Sequence, residues 1–127
     1  MTAPTVRVLV VDDNPLVGEA LAQVIAITPG LESAGLVARA DHLAAEAADR
    51  RADVVVLDLR MPGRDPLAAL TDFAATHPEV RVIASSGEDD EALADAAIAA
   101  GAWAFVAKTG GGGPILAAIR RVAAAEQ

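Results

Sequence analysis

Cysteine and tyrosine are absent from this 127-residue chain, and lysine occurs once. Without cysteine there is no disulfide framework, no thiolate metal site and no thiol chemistry. Aromatic residues make up 2% of the chain, so its core must be built from small aliphatic side chains. No apolar run reaches the ~18 residues that suggest a membrane span. The opening Met-Thr-Ala-Pro lacks the basic-then-apolar order of a signal peptide. A soluble cytoplasmic protein is the expectation. Positive charge is also scarce, with 10 Lys+Arg against 18 Asp+Glu and a formal net charge of −8. That balance argues against attachment to nucleic acid or to an anionic membrane.

The chain does have a regular alternation of strand-like and helix-like segments. Apolar residues are 54% of the total, dominated by alanine, the best helix former. Strands are predicted at Val6–Val11, 31–38, 54–57, 80–85 and 102–107, the second weaker and nearer an edge. Helices are predicted at 16–27, from a cap at Asp41 to Arg50, after Pro66 to about Thr76, at 88–100 and at 115–125. Asn14-Pro15 reads as a cap followed by a first-turn proline. The loop from Met61 to Pro66 and the glycines at 110–113 read as connectors. Five βα units with short loops imply one α/β domain over residues 1–127, a doubly wound parallel sheet with right-handed crossovers. In such a sheet, ligands bind at the C-terminal edge of the strands, near a switch in strand order.

Charge collects at that edge. Asp12 and Asp13 end the first strand, Asp58 follows the third, and Lys108 follows the fifth. A lone lysine in an arginine-rich chain suggests a need for a compact ammonium, able to hold a phosphate oxygen in a small pocket. Each signal alone has a plain structural reading: a cap pair, a turn, an exposed strand end. Together, on one edge, they point to a site.

The motifs Val-Val-Asp12-Asp13, Asp58-Leu-Arg-Met-Pro-Gly63, Ser85-Ser86-Gly87 and Val-Ala-Lys108 resemble the receiver domain of bacterial two-component response regulators. The resemblance covers essentially the whole chain. It is nearest to receivers of DNA-binding regulators of the nitrate-response type. It implies a flavodoxin-like (βα)5 fold with strand order 2-1-3-4-5. It also implies Mg2+-dependent acceptance of a phosphoryl group from a sensor histidine kinase or phosphotransfer protein, followed by a switch in partner binding. A homodimer on phosphorylation is compatible with it. Asp58 would be the nucleophile, since a carboxylate can take phosphoryl as an acyl phosphate. By the family pattern, Asp13, Asp58 and the main-chain carbonyl of Arg60 ligate Mg2+, and Asp12 acts mainly through water. Lys108 would pair with Asp58 and then with phosphoryl oxygens. Ser86 matches the switch hydroxyl better than Ser85, and Phe105 stands at the aromatic switch position, without the common hydroxyl. Arg60 and Glu88 would flank the pocket mouth with opposite charges and could form a salt bridge over it.

Some features depart from the family. Thr109 follows Lys108 where a proline often fixes a cis peptide, which puts that bond in doubt. Pro66 replaces a common glycine. His42 and His77 read as solvated helix-end residues, and Trp103 as surface-facing or packed beside the last helix. The chain would not be an enzyme beyond acting on its own phosphorylation. Two other readings stand beside the receiver. One is a Mg2+-dependent phosphatase or phosphotransferase of the haloacid dehalogenase type, whose nucleophile would end the first strand. The other is a degenerate receiver serving only as a protein-binding module.

Overall fold

The computed structural model describes residues 5–61, 65–108 and 112–125. Ten elements alternate along them: β1 (Val6–Val11), α1 (Pro15–Ile27), β2 (Leu31–Val37), α2 (Leu43–Asp49), β3 (Val54–Asp58), α3 (Pro66–Thr76), β4 (Arg81–Ser86), α4 (Glu91–Ala100), β5 (Ala104–Ala107) and α5 (Gly112–Ala124). The strands form one parallel sheet in the order β2-β1-β3-β4-β5. This is the expected flavodoxin-like arrangement, with β2 at an edge. Strand order reverses between β1 and β3, so the crevice that such sheets use for ligands opens beside the ends of those two strands.

Alternation along the strands sorts side chains to two faces. Val8, Val10, Val54, Val56, Ile83, Ala104 and Val106 pack with Leu21 and Ile25 of α1 and with Ile115, Ala118, Ile119 and Val122 of α5. Leu9, Val11, Val55, Leu57, Val82 and Ala84 pack with Leu43 and Ala47 of α2, Leu70 and Phe73 of α3 and Ala97 of α4. Both faces of the central strands are covered, which explains their continuous β-branched runs. Alanine-rich helices supply little bulk. Phe73 is therefore the one large aromatic in the core, with 2% of its surface exposed.

Helix ends follow local chemistry. Asn14 Oδ1 accepts from the N–H groups of Leu16 and Val17, and Pro15 opens α1. Helix α4 begins three residues later than its acidic start suggested, because Asp90 is its cap, with Oδ1 accepting from Leu93 N–H at 3.1 Å. Similarly, α2 starts at Leu43 with His42, not Asp41, at the cap position. Gly101 ends α4 at φ 120°, where an added Cβ would also strike Ala74. Leu16 lies on the opposite side of α1 from Leu21 and Ile25, about 140° and 180° around the helix at ~100° per residue, and it is 81% exposed while they are buried. Trp103 is partly exposed and stacks under the Arg81 guanidinium, 4.2 Å from its ring centroid. Arg81 also donates to the Val122 and Ala125 carbonyls at 2.6 Å, tying the end of α5 to the sheet edge away from the charges. His77 caps α3 and stacks on Phe73. The Lys108–Thr109 bond and much of the 110–113 connector lie outside the described residues, although Gly112 and Gly113 belong to α5.

Phe73→Ala should lower unfolding free energy in urea by about 3–5 kcal/mol, the usual cost of removing a buried phenyl ring and leaving a cavity. A loss below about 1 kcal/mol would show that the alanine-rich layer collapses around the gap.

Candidate functional site

The strand alternation that builds the core also builds the site. Continuing each strand by one step from Val10, Val56 and Val106 reaches Asp12, Asp58 and Lys108, so all three fall on the α1–α5 side of the sheet. Ser86 and Phe105 fall with Val82 and Ala84 on the opposite side. Ser85 belongs to the first set, opposite Asp58 in the β3–β4 register. The pairing of Ser86 with Ala107 and of Ala84 with Phe105 sets Ser86 one dyad above the Phe105 ring on one face. The two serines thus differ in the helix layer they address.

Lys108 Nζ lies 2.6 Å from Asp12 Oδ2 and 3.3 Å from Asp58 Oδ2. Its strongest partner here is therefore Asp12, whereas the family pattern pairs it with Asp58. Asp12 and Asp58 are buried, and Asp13 is exposed. Single oxygens from these three carboxylates lie within 4.8 Å of one another. Asp12 Oδ1 accepts from Asn14 N–H, and Asp58 Oδ1 accepts from Arg60 N–H, each at 2.9 Å. Among the described residues, no buried side-chain nitrogen or oxygen lacks a hydrogen-bond partner.

The donor set is all oxygen and anionic, with one edge open through Asp13. Such a set suits a hard divalent cation. Asp12, Asp13 and Asp58 could hold one, and the carbonyl of Arg60 sits two residues beyond Asp58. Ser86 is fully buried, and its Oγ accepts from Glu88 N–H at 3.3 Å. Its own hydroxyl proton remains free to donate toward an incoming oxygen. Phe105 is partly buried against the α2–α4 layer. Arg60 Nη2 lies 3.7 Å from Glu88 Oε2 and 3.6 Å from Asp90 Oδ2. Sequence had suggested the first contact. The second was missed because Asp90 was placed inside a helix that in fact starts after it. An apolar groove of about 390 Å³ runs from Lys108 between α1 and α5, lined by Leu16, Val17, Ala20 and Ile115 among others.

Burial raises the pKa of Asp58 above the ordinary carboxylate value, and the charge of Asp12 adds to this. The Arg60 N–H and Lys108 oppose the shift without cancelling it. A carboxyl with a raised folded-state pKa binds its proton more readily when folded. Its charge therefore subtracts stability above that pKa, and the penalty is relieved as pH falls through it. Asp58→Asn keeps the acceptor for Arg60 N–H and removes the charge. In metal-free buffer the variant should be more stable than wild type at pH 7, with the gap closing as acid protonates Asp58. Urea titrations across pH check this, and a less stable variant at pH 7 would contradict it.

The sequence model of the response regulator receiver domain matches residues 8–120. The response regulator GacA of Pseudomonas viridiflava is 30% identical over 122 residues, covering 96% of this chain and 57% of that protein. A protein-glutamate methylesterase/protein-glutamine glutaminase of Myxococcus xanthus is 42% identical over 105 residues, covering 81% of this chain but only 30% of that protein. The chain thus spans about half or less of the length of these relatives. Among solved structures, the signal receiver domain of a Mycobacterium tuberculosis response regulator designated NarL superposes with a TM-score of 0.88 at 26% identity, covering 98% of this chain and all of that one. These matches decide against a haloacid dehalogenase. With sheet order, acidic edge and sequence in agreement, the chain belongs to the response regulator receiver domain family.

Proposed function

We propose that this receiver accepts phosphoryl on Asp58 with Mg2+ held by Asp13, Asp58 and the Arg60 carbonyl, and with Asp12 acting through water. The observation that carries the reading is the convergence of Asp12, Asp58 and Lys108 at one strand edge, with Lys108 Nζ in reach of both carboxylates. An oxygen of Asp58 bonds to phosphorus as the bond from phosphorus to the donor nitrogen breaks. The electron pair of that bond returns to the imidazole, and an acyl phosphate remains. The reaction needs mainly positioning and charge neutralisation. Mg2+, when bound, supplies positive charge between the carboxylates and the phosphoryl oxygens. Lys108 supplies the second cation by turning from Asp12 toward the phosphoryl group. Ser86 donates its hydroxyl proton to a phosphoryl oxygen and draws the loop after β4 inward. Phe105 then moves on the same face of the sheet. The completeness of this set favours an active receiver over a degenerate binding module.

The donor is a sensor histidine kinase or phosphotransfer protein in the cytoplasm, and phosphorylation alters affinity for partners, a second copy of the chain among them. The chain acts only on its own phosphorylation state. Exposed Leu16 and the apolar groove beside Lys108 offer a protein donor a surface from which to reach Asp58.

Incubation with acetyl phosphate and Mg2+ should add one phosphoryl group by mass, and Asp58→Asn should abolish it. Asp13→Ala should weaken Mg2+ binding in calorimetry at least tenfold. Unchanged Mg2+ binding in that variant would contradict the assignment of Asp13. Beryllofluoride should shift amide resonances near Ser86 to Asp90 and near Phe105 and Lys108. Shifts confined to the surroundings of Asp58 would show that these residues do not form the switch.

A further inference from the structure

Helix α1 carries more apolar surface than the core uses. Leu21 and Ile25 are buried, and at ~100° per residue Leu16, Ala20, Val24 and Val17 form a second stripe beside them. Leu16, Val17 and Ala20 are exposed, and Val24 is half-buried. This stripe is not part of a flat surface. With Ile115 of α5 it walls an apolar groove of about 390 Å³, within the ~300–1,000 Å³ usual for ligand pockets. From Leu16 to Val24 the groove follows α1 for about 12 Å, at ~1.5 Å per residue. Of the described residues that wall it, Lys108 alone is charged, and the same ammonium reaches Asp12 and Asp58. A polar or peptide-like group would find no partner along the rest of the groove, whereas an alkyl chain needs none. Resting on the reading that Asp58 is the phosphoacceptor, we propose that the groove between α1 and α5 binds the alkyl chain of an acyl phosphate, so that acyl phosphates longer than acetyl are direct phosphodonors to this chain.

The direction of transfer agrees with this seat. An oxygen of Asp58 bonds to phosphorus as the bond from phosphorus to the acyl oxygen breaks. The electron pair of that bond departs with the carboxylate, and no proton has to move. In-line displacement sets the leaving carboxylate beyond phosphorus, on the side away from Asp58. Asp58 continues the strand row that faces α1 and α5. The leaving group is therefore directed toward the helix layer that holds the groove. Its charged carboxylate stays at the wet mouth, and the alkyl chain behind it is the part that gains from cover. That gain is the same before and during transfer, so it favours capture of the donor more than the chemical step.

The test gives the whole chain acetyl, butyryl or hexanoyl phosphate at fixed Mg2+ and follows phosphorylation by mass. The second-order rate constant should rise about two- to threefold per added methylene, somewhat less than full burial of each would give. Asp58→Asn should take up phosphoryl from none of the three. Ala20→Glu sets a carboxylate in the groove at an exposed helical position and should bring the hexanoyl-to-acetyl ratio toward one. Ala20→Leu fills the groove with apolar bulk and should lower the same ratio. The ratio is the quantity read, so each variant is normalised by its own acetyl phosphate rate. Hexylphosphonate cannot give up its phosphorus and serves as a readout apart from transfer. It should shift the amide resonances of Val17, Ala20 and Val24 in the wild-type chain and not those of Ala20→Glu. Equal rates for all three donors, or a ratio that survives in both Ala20 variants, would overturn the groove and leave Asp58 as acceptor. A ratio raised by Ala20→Leu would also overturn it, by assigning the preference to adhesion on any apolar surface. A wild-type chain that takes up phosphoryl from no donor, acetyl phosphate included, would remove the acceptor reading and the proposal together.

Discussion

Crowding of like charge at one edge of the sheet is the constraint on which the rest of this structure depends. Three carboxylates offer oxygens within 4.8 Å of one another. At an effective dielectric of about 20, unit charges that close repel by about 3–4 kcal/mol, less for the exposed Asp13. Among the described residues, Lys108 is the cation placed among them, shared between Asp12 and Asp58. Burial is the main cause of the raised pKa of Asp58, and the charge of Asp12 adds to it. A site left short of positive charge could hold a divalent cation.

The remainder of the fold holds that edge in place. Parallel pairing fixes the ends of β1 and β3 side by side, and the β-branched strands are covered on both faces. The site can therefore tolerate repulsion that a loosely packed loop could not. Alternation then divides the work between the two layers. Asp12, Asp58 and Lys108 continue the rows that face α1 and α5, while Ser86 and Phe105 continue the rows that face α2 to α4. The two rows meet at one edge because Ser86 and Asp58 end adjacent strands. The distance between them is a matter of register, not of flexible linkers.

The acidic edge and the lysine fall within the stretch that matches the receiver family. The Arg60, Glu88 and Asp90 group is built from side chains that the core does not need, all of them at least partly exposed. The exposed pair of Arg60 and Glu88 contributes little to folding stability, whereas Asp90 also caps α4.

The sequence by itself determined the alternation of five strands and five helices, the parallel sheet and the identity of the acidic edge. These are encoded locally, in β-branched runs, alanine-rich helices, capping pairs such as Asn14-Pro15 and charges that end strands. Element ends were less legible. Asp89, Asp90 and Glu91 are all plausible at a helix start, and only the bond from Leu93 N–H to Asp90 selects one of them. The tertiary structure alone decided that Lys108 lies closer to Asp12 than to Asp58 and that Asp90 joins Glu88 at Arg60. Each of these depends on distances between residues far apart in the chain or on separate loops. A periodic pattern specifies which face a side chain takes, but not how near it comes to a partner on another element.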